Sequence, residues 1–150
     1  LAKNQSTLIV LYSLLCYCFA SSRHPLDAAF LAQETIMTVL INGTMHMPSG
    51  VRETTLAETA HLVVETRTQA GCLHYVWSAD PTSATRVYVY EKWASVEALA
   101  AHLAGPYYQN MLGVLGKSGV TDVEVLKYKV AVEEPVYDPQ GRPRADFFTE

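Results

Sequence analysis

An α+β fold in the order β-α-β-β-α-β is what this 150-residue chain predicts. Three observations carry it. Runs rich in β-branched and aromatic residues occur at residues 36–47, 72–78, 85–93 and 120–132. Apolar residues at helical spacing fill the gap between the first and second runs, and the gap between the third and fourth. Glycine, proline and aspartate punctuate the junctions.

Taken in order, the first strand is Ile36–Met47, closed by Pro48-Ser49-Gly50. A helix over residues 51–69 follows, with Leu56, Ala60, Val63 and Val64 as its apolar stripe and Gly71 as its stop. The second strand, Cys72–Ser78, sets Leu73, Tyr75 and Trp77 on one face and Cys72, His74 and Val76 on the other. Asp80-Pro81-Thr82 turns the chain. The third strand, Thr85–Trp93, alternates Val87, Val89, Glu91 and Trp93 with Tyr88, Tyr90 and Lys92. Ser95 is a good cap for a second helix, which Gly105-Pro106 interrupts; Pro106 can open a new helical turn. The last strand is Val120–Val132.

This order is the ferredoxin-like split βαβ pattern, with both helices on one face of the sheet. The other face carries large apolar and aromatic side chains. A second copy of the sheet is the simplest cover, so a homodimer is expected. The domain spans residues 36–132. Residues 133–150 hold Pro135, Pro139, Gly141 and Pro143 without periodicity and read as an extended tail.

Residues 1–35 form an N-terminal extension. Within it, Thr7–Ala20 is an uncharged apolar run of 14 residues. A membrane span needs about 20. The run reads as a signal-like targeting segment, as a helix packed on the body or a partner, or as an artefact of how the chain's start was assigned. Unless it is a targeting segment, no membrane association is expected, and the location is taken as cytoplasmic.

Composition excludes several classes. Eleven basic against 15 acidic residues give a net charge of -4, with no basic cluster, which argues against nucleic-acid binding. Cys16, Cys18 and Cys72 are too few and too odd for a disulfide framework or an all-thiolate metal site. Neither a phosphate-binding loop nor a dinucleotide fingerprint occurs. His46 and His74, on strands, could approach one another, but a metal site would need a further ligand.

Two residues stand out for chemistry. Glu91 shares its face with valines and a tryptophan, and a buried carboxylate is costly unless it is paired or hydrogen-bonded. It either ties down the fold or orients a histidine or a substrate hydroxyl. His102, one position from the Leu99/Leu103 stripe, is placed at the rim of a pocket between helix and sheet. It serves either as a structural histidine or in proton transfer near neutrality. Tyr75, Trp77 and Trp93 could shape a slot for a flat ring. Asn42 would add a polar contact if its face points inward.

Three blocks carry a family resemblance. Gly71-Cys72-Leu73-His74-Tyr75, Tyr90-Glu91-Lys92-Trp93 and Glu97-Ala98-Leu99-Ala100-Ala101-His102 resemble, in order and spacing, the antibiotic biosynthesis monooxygenase (ABM) domain. The resemblance covers roughly residues 36–132 and implies a dimeric α/β barrel. It implies kinship with quinol monooxygenases and with oxygenases of polycyclic aromatic precursors, which use neither metal nor flavin. The family's haem-degrading branch does not fit, because Met111–Leu115 lacks the expected histidine ligand.

The function implied is cofactor-independent oxidation of a small or polycyclic phenol or hydroquinone by dioxygen, with no cofactor. His102 and Glu91 would be catalytic, and Asn42, Tyr75, Trp77 and Trp93 would bind substrate. The alternatives are an isomerase or tautomerase of a hydroxy-ketone and a non-catalytic, dimeric small-ligand binder.

Overall fold

The structure, a computed structural model, describes residues 37–148. The apolar run at 7–20 and the rest of the N-terminal extension lie outside the described residues. The elements are β1 (Val39–His46), α1 (Arg52–Thr66), β2 (Cys72–Ala79), β3 (Arg86–Trp93), α2 (Val96–Ala104), α3 (Pro106–Lys117) and β4 (Thr121–Lys129). All four strands pair antiparallel, in the spatial order β2-β3-β1-β4. The order places β3 between β1 and β2. His46 on β1 is opposite Arg86, and His74 on β2 is opposite Lys92, at the far end of β3, so the two histidines do not meet.

The expectation of a dimeric α/β barrel is corrected by this sheet. Among the described residues it is open, with β2 and β4 at its edges, and it is not closed into a barrel. Side chains fill a small barrel at about eight strands; four twisted strands do not close on themselves.

Local chemistry explains the element ends. Ser95 caps α2 by accepting a hydrogen bond from Ala98 N–H at 3.2 Å. Gly105 is extended (φ -83°, ψ 163°), which breaks the helical path, and Pro106 starts α3 where its missing amide is not needed. Gly71 takes φ +78°, and a Cβ there would lie 2.5 Å from the Ala98 Cβ. Both the turn and its close approach to α2 therefore require glycine.

Two expectations about faces shift by one residue. In α1 the inward stripe is Arg52, Thr55, Thr59, Leu62 and Thr66, while Val64 is 57% exposed. Threonine can face a core because its hydroxyl is satisfied locally: Thr59 Oγ1 donates to the Thr55 carbonyl at 2.8 Å. In β2, Cys72 packs with Tyr75 and Trp77, whereas Leu73 is 48% exposed. A bulge between Cys72 and His74 inserts an extra residue and reverses the alternation.

The helices cover one face of the sheet. One core cluster joins Val39, Leu62, Tyr75, Trp93, Leu99 and Met111. A second joins Met45, Met47, Val87 and Val89. On the opposite face Tyr88, Tyr90, Leu126 and Tyr128 are exposed. The tail after β4 forms a small turn in which Tyr137 bridges to Pro143. Asp138 holds it by accepting from the Gln140 and Arg142 amides.

Candidate active site

The fold leaves a cavity of about 480 Å³ between the sheet and α3. Its floor is Ile41 and Met45 from β1, Val89 and Glu91 from β3, and Trp77 from β2. Tyr108, Met111, Leu112 and Leu115 of α3 form the roof. Val123 and Val125 of β4 close one side. Each strand sends alternate residues to this face, which is why Val87, Val89, Glu91 and Trp93 all point under the helices.

Glu91 is the only residue with a charged side chain on this wall, among the described residues. It is 6% exposed and lies between Ile41 on β1 and Tyr75 on β2. Trp93 Nε1–H donates to its Oε2 at 3.0 Å. The other carboxylate oxygen has no donor among the described residues. Burial raises the Glu91 pKa above the ordinary carboxylate value, and the Trp93 hydrogen bond only partly opposes this. The site therefore holds a proton-hungry carboxylate in apolar surroundings. The Trp77 indole N–H is also buried, with no hydrogen-bond partner among the described residues. Burial and the nearby Glu91 carboxylate raise the Tyr75 hydroxyl's pKa, and the Trp77 N–H beside it opposes this only in part.

His102 is 1% exposed and sits behind the wall instead of at its rim. Its ring stacks on Trp93 (centroids 4.6 Å apart, 29° between planes) and meets Tyr75 and Tyr108 edge-on at 5.4 and 5.5 Å. Nδ1 lies 2.7 Å from Gln69 Oε1. A carbonyl oxygen only accepts, so with the amide in this orientation Nδ1 carries the proton and Nε2 presents a buried lone pair with no partner among the described residues. Burial lowers the His102 pKa and keeps the ring neutral.

The residues expected to form the site thus separate into three groups. Glu91 and Trp77 line the cavity. His102, Tyr75 and Trp93 form an aromatic block packed behind it. Asn42 is exposed on the open face, opposite Tyr90 and Leu126, and points away from the cavity. Glu91 does not orient His102: it holds the Trp93 indole, and Gln69 holds His102. Gln69 escaped sequence reasoning, since a single amide in a loop 33 residues from its partner leaves no local pattern. The α3 wall had a signal in the spacing of Met111 and Leu115.

No group of three or more His, Cys, Asp or Glu side chains able to hold a metal ion occurs among the described residues. Nor is any described helix long and apolar enough to cross a membrane.

Comparison with known proteins decides the family. Residues 38–113 match the family model described as antibiotic biosynthesis monooxygenase. The chain belongs to the ABM family. Among curated proteins none matches the chain. Solved structures are similar in fold. A candidate antibiotic biosynthesis monooxygenase from Deinococcus radiodurans is 24% identical, with a TM-score of 0.61 over 67% of this chain and 99% of that one. Another candidate, from Chloroflexus aurantiacus, is 24% identical, with a TM-score of 0.53 over 65% and 97%. A third, from Caulobacter crescentus, is 21% identical, with a TM-score of 0.54 over 65% and 92%. The ABM match ends within α3, and β4 of the same sheet follows it.

Proposed function

We propose that this ABM protein is a cofactor-independent monooxygenase that oxidises an electron-rich phenol or hydroquinone with dioxygen. One observation carries the reading: the Glu91 carboxylate on the wall of an otherwise apolar cavity. Glu91 takes the proton of the ring hydroxyl. Its raised pKa brings it closer to that of a phenol, which favours the transfer. Trp77 shapes the ring slot from β2. The ring anion passes one electron to dioxygen, and the radical pair couples to form a carbon–oxygen bond. The peroxide takes the proton back from Glu91. Loss of the C–H proton from the oxygenated carbon breaks the O–O bond, leaving a carbonyl and releasing water. The hydroxyl O–H, one ring C–H and O₂ become two C=O groups and H₂O, and the substrate supplies the electrons.

His102 is a positioning residue in this reading. It packs Trp93 and Tyr108, and Trp93 in turn holds Glu91. Asn42 has no part in the site. A homodimer completes the reading, with two copies covering the exposed face that carries Tyr88, Tyr90, Leu126 and Tyr128. Sedimentation equilibrium should give twice the chain mass, and a Tyr90→Lys/Leu126→Lys variant should give the single mass. A monomeric native chain would remove the dimer.

The test of activity follows dissolved oxygen with reduced quinones and anthrone-like phenols, with product mass in parallel. Saturable uptake and a product richer by one oxygen atom and poorer by two hydrogens are expected from anthrone. No uptake across the panel, with turnover of hydroxy-ketones, would install the isomerase reading instead.

A further inference from the structure

The cavity that takes the ring has an electrostatic asymmetry. Among the described residues its wall carries one carboxylate and no lysine, arginine or histidine. Lysines and arginines occur on the same elements, and Lys127 shares the cavity-side face of β4 with Val123 and Val125, in register with Ile41 and Glu91, but none of them lines the cavity. Lys92 is paired with Glu133 on the open face. Lys127 and Lys129 of β4 do not line the cavity, nor does Lys117 at the end of α3. The remaining lining is aliphatic, methionine, glycine and aromatic. A carboxylate, sulfate or phosphate carried into this lining would lose water and meet no cation on it. It would also be repelled by Glu91, the one charge on the wall among the described residues.

We propose that the cavity selects neutral flat-ring ligands and rejects anionic ones, with Glu91 as the residue that sets this specificity. This rests on the cavity being the ring site of the proposed oxygenase, and it names the substrate class more narrowly. Phenols and hydroquinones without an acidic substituent are accepted. The same rings bearing a carboxylate are excluded, although their size is suitable. The reaction that supplies the substrate must therefore deliver a ring whose acidic groups have been lost or masked, for example by decarboxylation or amidation.

Three probes with one ring system test this by calorimetry on the full chain: 2-naphthol, 6-hydroxy-2-naphthoate and the corresponding neutral 6-hydroxy-2-naphthamide. The amide and the carboxylate have nearly the same size, so their ratio isolates charge. In the native protein the amide should bind at least about 100-fold more tightly than the carboxylate. Glu91→Gln keeps an acceptor for the Trp93 N–H and removes the charge, so this ratio should shrink at least about tenfold. Val123→Lys brings an ammonium to an exposed wall position and should likewise strengthen carboxylate binding about tenfold. It serves if Glu91→Gln does not fold. Equal binding of amide and carboxylate by the native protein would overturn the charge selection and leave the oxygenase reading standing. Binding of neither neutral probe would remove the ring site, and both readings with it.

Discussion

Two buried carboxylates, Asp80 and Glu91, sit at opposite ends of the same pair of strands. Asp80 lies where β2 turns into β3 and is saturated with donors. Thr82 gives it both its hydroxyl and its amide at 2.7 Å, and Arg86 Nη1 lies 3.0 Å away. Those hydrogen bonds hold its pKa down near 2. Around it, Arg52 Nη1 donates to the carbonyls of Asp80, Ser83 and Arg86, which ties α1 to the turn. Glu91 has one donor, an apolar cavity and a raised pKa. A carboxylate whose acceptor sites are filled by its own chain can only stabilise the fold. One left short of donors beside an open volume is available to a ligand. The polar wealth of the turn marks structure, and the polar poverty of the cavity marks the site.

Glu91→Gln should break this contrast most strongly. Turnover should fall about 10²-fold or more, since the base is gone while the Trp93 hydrogen bond survives. Stability should move the other way. Folded Glu91 holds its proton more tightly than the unfolded chain does, so the native state loses stability as pH rises from the unfolded pKa through the raised folded one. Removing the charge should therefore raise the melting temperature at pH 7 and leave it nearly unchanged in acid. In the native enzyme, kcat/KM should rise with pH through a midpoint above the ordinary carboxylate value as Glu91 ionises. Full activity in a folded Glu91→Gln protein would remove it from the mechanism.

Asp80→Asn should show the mirror image. The folded-state pKa of Asp80 is depressed, so its contribution is present above the unfolded value of about 3.8 and is lost as pH falls toward 2. The variant should melt at a lower temperature than the native chain at pH 7. The gap should close progressively between about pH 4 and pH 2. Oxygen uptake at pH 7 should change by less than about twofold, because no atom of the turn lines the cavity. A loss of turnover as large as that of Glu91→Gln would show that the two ends are not independent.

The sequence made some of this visible and hid the rest for definite reasons. The order of strands and helices was legible, and so was the inward face of β3, because Val87, Val89 and Trp93 frame Glu91 at a strict period of two. On β1 the phase was ambiguous. Gly43 takes an inward position without a side chain, since a Cβ there would meet the β4 backbone at 2.0 Å. That left Asn42 free to be read either way. The bulge in β2 has no signature in the local residues, so the exchange of Leu73 for Cys72 could not be read. In α1, threonine counted as polar by type yet proved core-facing by geometry. Closure of a sheet depends on strand number and pairing, which family likeness suggested wrongly here.

The smallest expected effects lie at the Gln69–His102 pair, which neither end of the comparison touches directly. If His102 positions the wall, its shape matters more than its lone pair. His102→Phe keeps a ring stacked on Trp93 and should cost less than about tenfold in kcat. Loss of a proton-transfer group would cost about 10²-fold or more. Gln69→Leu removes the acceptor for Nδ1–H and should destabilise the fold by about 1–2 kcal/mol. The ring should then lose its preference for a proton on Nδ1, a change that nitrogen NMR of the imidazole reads directly. Because His102 reaches the substrate only through Trp93 and Tyr108, Gln69→Leu should lower kcat a few-fold with little change in KM, and Gln69→Asn should not restore it, its side chain being one methylene too short. A His102→Phe protein as inactive as Glu91→Gln would move His102 from behind the wall into the chemistry itself.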